Sequence, residues 1–497
     1  MKQIIIACHP ANTRVCIVED GKLVEFWVER ESTGRIVGNI YKGKVMNVLP
    51  GMESAFVNIG LEKNAFLYSG DMVDGDGCVQ KDPQNNKLNV KVGDEILVQV
   101  VKDQFGNKGA RISMNISLPS RGLILMPQID YVGVSRKLQN TEQVNDLVNY
   151  VESIRKKGHG YILRTQSTDC SKEEILQDTE ELEDKWAKIQ DAFIHKSAPA
   201  LIYKDESLAI RAVRDMLRSD VDEIIVDNEK VYNELKAAFP HVCEENPNLF
   251  KLYTHNENVV YAYNLSSQID SILKKKVEMS NGAYLVIDRT EALTVIDVNT
   301  GKYVGQKQLS ETIFETNKIA AKEIARQLRL RNLGGIIVVD FIDMDKQSQI
   351  DEVMAILKEE LAKDRIKTTL IDITPLGLVE ITRKKSNSMI GDVMLQPCPY
   401  CGGDGYVYSE EHVATKLKQD LNMLFKNPLN TTVIVELSVN VFNKIFAYKL
   451  LEKECETIWQ DKRIYLVPSE IMHIEKYKIR ATNDMIIDLP DVAKLLY

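Results

Sequence analysis

Short apolar bursts dominate the first 35 residues: Ile4-Ile5-Ile6, then 13–18, then 23–28. Each has the length and β-branched content of a strand, and Glu19-Asp20-Gly21-Lys22 carries the Asp-Gly signature of a tight hairpin. The same β-rich, glycine-punctuated texture runs on from 36 to 118, through 39–45, 55–60, 65–68, 92–100 and 107–112. Five short strands separated by turns suit a small closed barrel of the OB type. The stretch 70–87, with Asp74-Gly75-Asp76-Gly77 inside it, reads as a mobile loop of that barrel.

After 119 the periodicity changes. Helical patterns cover 140–157, 171–193 and 205–217, with strand-like 161–165 and 199–203 between them. A strand at 223–227 precedes helices at 228–239 and 266–279. From 284 onward, β-branched runs (284–288, 293–297, 335–341, 368–373, 377–383) alternate with helical stretches at 310–331 and 347–363. Such runs are buried sheet strands covered on a face by helices. A cysteine-glycine turn at 398–405 leads to a small α/β region, 410–497.

At 497 residues the chain needs three to five domains or subdomains. Its 44% hydrophobic and 27% charged residues describe an ordinary folded protein. No run of 18 apolar residues exists, which argues against a membrane-spanning helix. The lysine and short apolar run at the N-terminus resemble a signal peptide. That run stops at Cys8-His9-Pro10, however, and reads as a strand of the mature chain. Six of the eight cysteines are scattered, as suits reduced thiols in the cytoplasm. A net charge of −9 weighs against a polyanion partner. Screening over about 10 Å nevertheless makes local cation clusters matter more than the total.

Candidate chemistry starts with carboxylates. Asp297 and Asp340 each close an apolar strand, where open α/β sheets place their sites. If those strands are neighbours, the two groups repel, and a hard cation such as Mg²⁺ resolves the repulsion. Asn299, two residues on, is placed to steady a carboxylate or a water. Aspartates also end strands simply because they start turns. Spacing alone does not choose among Asp288, Asp297, Asp340, Asp343 and Asp345.

Lys318, Lys322, Arg326 and Arg329 fall on one helical face, and the segment 318–331 has five basic residues and one acid. No balancing acids are evident beside it, so the face suits phosphate contacts, although a solvated helix surface is the plain alternative. Arg383-Lys384-Lys385 forms a second basic patch. In the barrel, Phe56 and Phe66 are either core residues or a stacking platform. Lys42, Lys44 and Lys108 nearby favour the platform, since aromatics stack bases while lysines hold the backbone. Arg164-Thr165 is either an ordinary surface pair or a grip on a terminal phosphate.

Cys398-Pro399-Tyr400-Cys401-Gly402-Gly403 has zinc-knuckle spacing but is half of a site. His412 would add only a third ligand. Two chains, each giving two thiolates, is the economical solution. A redox pair and a plain turn with free thiols are the alternatives.

These features together resemble the ribonuclease E/G family over essentially the whole chain. The most specific stretch is Glu323-Ile324-Ala325-Arg326-Gln327-Leu328-Arg329-Leu330-Arg331-Asn332-Leu333-Gly334-Gly335, continuing to Val339-Asp340-Phe341-Ile342-Asp343-Met344. Asn39-Ile40-Tyr41-Lys42-Gly43, Ala292-Leu293-Thr294-Val295-Ile296-Asp297-Val298-Asn299 and segment 398–405 add to it. By length the chain is closest to the family's shorter members.

The resemblance implies a multidomain α/β protein. An RNase H-like subdomain (1–35 plus 216–279) would carry an inserted S1 barrel (36–118) and a 5′-sensor region (119–215). A DNase I-like catalytic subdomain (280–397), a zinc link (398–409) and a small C-terminal domain (410–497) would follow. It also implies a cytoplasmic, Mg²⁺-dependent endoribonuclease that cuts single-stranded, AU-rich RNA in ribosomal and transfer RNA maturation and messenger turnover. Asp297 and Asp340 would be its magnesium ligands with Asn299 beside them. Phe56, Phe66 and Lys108 would grip RNA, and Arg164 and Thr165 would sense a 5′-monophosphate. Cys398 and Cys401 would share structural Zn²⁺ with a second chain in a homodimer, leaving further pairing of dimers open.

Two departures stand out. Gln166-Ser167-Thr168-Asp169-Cys170 replaces the family's glycine-containing loop after the sensor pair, and the 70–87 loop is long for such a barrel. Without a low-complexity tail after 410–497, docking through a scaffold tail is not expected. On residues alone, a non-catalytic RNA-binding or assembly protein built on the barrel and basic helix is the competing reading.

Overall fold

The Asp20-Gly21 hairpin forms with both residues in the left-handed region, φ 49° and 76°, as its two-residue turn demands. It joins two strands of an antiparallel meander, Lys2–His9, Asn12–Glu19 and Lys22–Arg30. Glu223–Val226 adds in parallel beside the first strand, followed by Phe250–Leu252. Ile4, Ile6, Val15 and Ile17 bury against the helix Leu208–Met216 on one face. Ile5, Cys16 and Phe26 bury on the other with Ile269 and Ile272. Burial on both faces explains why these strands read as unbroken apolar runs.

These elements belong to a computed structural model that describes all residues except 31–34, 73–88, 105–107, 136–137, 139–140, 219, 302–308, 386–388, 483–488 and 497. Two compact units result, Met1–Met394 and Leu395–Tyr497. The Asp74–Gly77 part of the expected loop lies outside the described residues.

Within the first unit, Ile40–Leu49, Ser54–Asn58, Ala65–Tyr68, Glu95–Lys102 and Arg111–Ser113 form a five-stranded barrel. It closes where Ile40–Leu49 pairs with Glu95–Lys102. Ala200–Tyr203 adds to it as an outer strand against Ile40–Leu49. Next comes a four-stranded sheet containing Leu123–Met126 and Gly160–Leu163. Its core is capped by the helix Lys172–His195, which begins in a capping box: Ser171 and Glu174 satisfy each other's backbone N–H at 2.7 and 3.1 Å.

A six-stranded sheet follows, ordered Lys276–Glu278, Tyr284–Arg289, Leu293–Asn299, Gly335–Asp340, Leu378–Arg383, Thr368–Ile373. Leu285, Ile287, Ile296, Val298, Ile337, Val339 and Ile381 bury beneath the helices Leu309–Leu330 and Gln347–Ala362. Among the described residues no helix covers the opposite face, which carries Asp297, Asn299 and Asp340. Here one expectation fails. The helix expected over 266–279 stops at Ile272, and Lys276–Glu278 is instead the sheet's edge strand. Val277 is the reason: it buries opposite Leu285, while Lys276 and Glu278 on either side stay exposed, a period of two that a helix cannot satisfy.

The second unit is a four-stranded sheet, Tyr477–Thr482, Thr432–Ser438, Arg463–Ser469 and Lys494–Leu495 in order. It packs with the helices Glu410–Leu424 and Val439–Tyr448 around Val433, Val435, Ile445 and Trp459.

The six-stranded sheet is anchored by a buried ion pair. Arg383, 4% exposed, donates from Nε to Asp364 at 2.7 Å and from Nη1 to Asn332 Oδ1 and the Leu333 carbonyl at 3.0 and 2.9 Å. It therefore ties the entry of the Asp340 strand to the end of its antiparallel neighbour. Arg383→Met strands the Asp364 carboxylate in the interior and should cost about 3–5 kcal/mol, read as a lowered urea midpoint. Pairing it with Asp364→Leu should recover most of that loss, whereas an unmoved midpoint in the single variant would contradict the anchoring role.

Candidate functional site

Leu293–Asn299 and Gly335–Asp340 are parallel neighbours, and their register makes Asp297 and Asp340 direct Cα partners. Both side chains are exposed on the uncovered face. Neighbouring strands lie about 4.8 Å apart, so two like charges are held side by side. Asn299 donates from Nδ2 to Asp297 Oδ2 at 2.8 Å, which fixes one carboxylate without adding charge. Among the described residues neither carboxylate has an ion-pair partner. Two hard oxygen donors held together and uncompensated suit Mg²⁺.

The same register separates the rivals. Asp288 partners Val295, further along the sheet, and is neutralised by Lys275 at 2.6 Å. Asp343 and Asp345 lie past the strand, in the loop before the helix Gln347–Ala362. A residue invisible to motif reading fixes that loop. Asn317, fully buried on the long helix, donates to the Ile342 carbonyl at 2.8 Å and accepts from its N–H at 3.2 Å. The available signal was an amide at a core position, in phase with Ala321, Ile324 and Leu328.

The expected basic stripe is corrected. Lys318 is paired with Glu315 and Glu352 at 3.4 and 3.1 Å. Arg326 gives its guanidinium to Glu323 at 2.6 and 2.9 Å and to the Leu23 carbonyl at 2.6 Å. It thereby fastens the helix to the first sheet. For these two cations the balancing acids stand three residues earlier, Glu315 before Lys318 and Glu323 before Arg326. Arg331 is buried, and desolvation pulls its guanidinium down to about 10. Lys322 stays exposed. Arg329 faces a cleft of about 770 Å³ shared with Arg214, Arg365 and Lys385, its Nε buried without a hydrogen-bond partner.

On the barrel, Phe56 and Phe66 are Cα partners, half-exposed, with rings 5.9 Å apart and inclined at 68°. Ala55, Val57, Ala65 and Leu67 fill the interior instead, so the two rings form an outer platform. Lys108 is exposed close by: Phe66 N–H donates to the Ala110 carbonyl at 2.7 Å, and a Cβ at Gly109 would lie 2.1 Å from the Asn64 carbonyl oxygen. Lys44 is exposed as well. Lys42 departs from its expected role. Its ammonium is buried between Glu95 at 2.9 Å and the Phe193 carbonyl at 3.0 Å, clamping the barrel to the helix Lys172–His195.

Arg164 donates to Asp215 at 2.7 Å and to the Ser120 carbonyl at 2.5 Å. Burial would raise the Asp215 carboxyl, but Arg214 and Arg164 outweigh it and hold that group below its ordinary range. Among the described residues these two bonds engage two of the five guanidinium donors. Thr165 opens a short 3₁₀ turn, Thr165–Asp169. There the unusual Gln166 is buried and donates to the Asp215 carbonyl at 2.7 Å, so the altered loop closes on the same acid.

In the second unit Cys398 is exposed, and N–H groups of Cys401 and Tyr400 hold its thiol below the ordinary value. Gly405 N–H donates to Cys401 Sγ at 3.2 Å. Such N–H···S contacts favour thiolates, the form a metal takes. The histidines stand aside: His412 packs on Tyr408 and His473 binds the Tyr400 carbonyl. Among the described residues no third ligand joins the two cysteines. In chelator-treated protein, iodoacetamide followed by peptide mass mapping should find Cys398 modified first. Cys16 and Cys170, both pushed up to about 12 by burial, should lag far behind. Equal rates would contradict this.

Residues 117–386, which include both aspartates and Arg164, match the ribonuclease E/G family. Ribonuclease G of Haemophilus influenzae is 40% identical over 425 residues, covering 84% of this chain and 87% of that protein. Ribonuclease G of Escherichia coli is 38% identical over 426 residues, with the same coverage of both. Ribonuclease E of Haemophilus influenzae is 33% identical over 496 residues, 97% of this chain but 52% of that protein. With its carboxylate pair inside the matched segment, the chain belongs to the ribonuclease E/G family.

Proposed function

We propose that this chain is an endoribonuclease that hydrolyses single-stranded, AU-rich RNA to 5′-phosphate and 3′-hydroxyl ends. The register pairing Asp297 with Asp340 is the observation that carries this reading. Mg²⁺ held by these two carboxylates would supply Lewis-acid activation of water and offset charge on the phosphoryl oxygens. Asn299 keeps Asp297 oriented, and Asn317 holds the loop after Asp340. Phe56 and Phe66 offer ring faces to unstacked bases, and Lys108 lies where a backbone phosphate would pass. Arg164 with Thr165 would hold a 5′-terminal monophosphate through the guanidinium donors that Asp215 and Ser120 do not use.

The family likeness supports an RNase H-like role for the first sheet, an S1 role for the barrel, and work on ribosomal, transfer and messenger RNA in the cytoplasm. No helix among the described residues is long and apolar enough to cross a membrane. Two thiolates are half of a structural zinc set. A second chain bringing its own Cys398 and Cys401 completes it and makes a homodimer.

On a 5′-labelled single strand, cleavage should rise with Mg²⁺ and disappear in Asp297→Asn, while RNA affinity and the melting curve hold. Cleavage surviving in that purified variant would refute the site. Affinity without any magnesium-dependent product from the unaltered protein would favour a non-catalytic RNA binder. For the zinc link, metal analysis should find about half a zinc per chain, and a strong chelator should convert dimer to monomer in sedimentation. One zinc in each monomeric chain would refute the shared site.

A further inference from the structure

The uncovered face of the six-stranded sheet carries a cation that the roles above do not use. Register places Lys276, Val286, Asp297 and Asp340 in one row across four strands, so all four side chains share that face. Two strand spacings of about 4.8 Å separate Lys276 from Asp297 at the backbone. Its ammonium leans over the Tyr284 ring, 4.0 Å from the centroid. Tyr284 is the Cα partner of Asn299, so this charge is drawn to within about one strand spacing of the asparagine that orients Asp297.

Three further observations single it out. Lys275, its neighbour in sequence, is consumed by Asp288, whereas Lys276 has no ion-pair partner among the described residues. Glu278, the nearest acid on the same strand, is the Cα partner of Tyr284 yet forms no ion pair with Lys276. Tyr284 is backed by Gly301, where a Cβ would lie 3.2 Å from the ring and 2.6 Å from the Gly282 carbonyl oxygen. The ring thus has a fixed seat and holds the ammonium electrostatically.

A face bearing the uncompensated pair Asp297 and Asp340 repels a polyanion unless a cation sits within a Debye length of the scissile bond. We propose that Lys276, positioned by Tyr284, is a phosphate-binding residue that takes the backbone phosphodiester next to the one at Asp297 and Asp340. This rests on those aspartates marking the cleavage point. Lys276 is a point charge on a flexible stem, suited to a phosphate whose orientation varies with sequence. The contact is to the backbone and reads no base.

The test uses the full chain and an unstructured oligoribonucleotide. Lys276→Gln should raise KM about five-fold with kcat falling less than two-fold, and should flatten the log–log salt dependence of KM by about 0.7, the value of one single-strand phosphate contact. Tyr284→Leu should move KM the same way by a smaller factor, and Lys276→Arg should recover most of the loss. An unchanged KM and salt slope in Lys276→Gln, with melting intact, would overturn the proposal, as would a loss confined to kcat. Cleavage persisting in Asp297→Asn would instead remove the cleavage point itself, so the two failures are separable.

Discussion

The candidate site on the six-stranded sheet depends on one backbone register: the parallel pairing that sets Asp297 directly beside Asp340. Side by side, like charges destabilise a sheet. The pairing holds because the alternate residues of the same strands, Ile296, Val298, Ile337 and Val339, are driven under the two covering helices. A slip of one residue would bury the carboxylates and expose the core, so hydrophobic burial fixes the geometry of a site it never touches. The buried Arg383–Asp364 pair secures the same register from the far end of the strand.

Arginine and lysine have been divided between structure and surface. Arg383, Arg326, Arg331 and Arg164 each spread several donors over carbonyls and carboxylates at interior seams. That use suits a planar, always-charged fork. The cations left exposed without an ion pair among the described residues near the relevant surfaces are largely lysines: Lys44, Lys108, Lys276, Lys322, Lys384 and Lys385. In a chain of net charge −9, these exposed charges are what an incoming polyanion meets first. Arg329, with its unpartnered Nε at the cleft wall, is the exception.

Around Arg164 a single acid orders two elements of the chain. The Gln166 amide binds the carbonyl of Asp215, whose carboxylate Arg164 grips. Asp215 thereby fixes both the 3₁₀ turn Thr165–Asp169 and the arginine before it. Among the described residues three donors of that arginine stay uncommitted.

Much was legible in the sequence because it is written in periodicities. The five barrel strands, the Asp-Gly hairpin and the alternation of β-branched runs with helices all follow from local pattern, and the motif around 323–344 marked the family. Asp297 and Asp340 were visible as strand-end acids, but so was Asp288. Only strand pairing distinguishes them, since the partner of a residue across a sheet is set by long-range register. The errors share that origin. Lys42 and Arg326 look like surface cations until the packed helix and neighbouring sheet supply their partners. Residues 273–279 look helical until Val277 is drawn into a core assembled from distant strands. Sequence by itself determined which segments are strands, helices and motifs, because those depend on neighbours a few residues away. Tertiary structure alone decided which acids meet, which cations remain available and that Lys276 faces the same surface as Asp297, because those depend on contacts between segments tens to hundreds of residues apart.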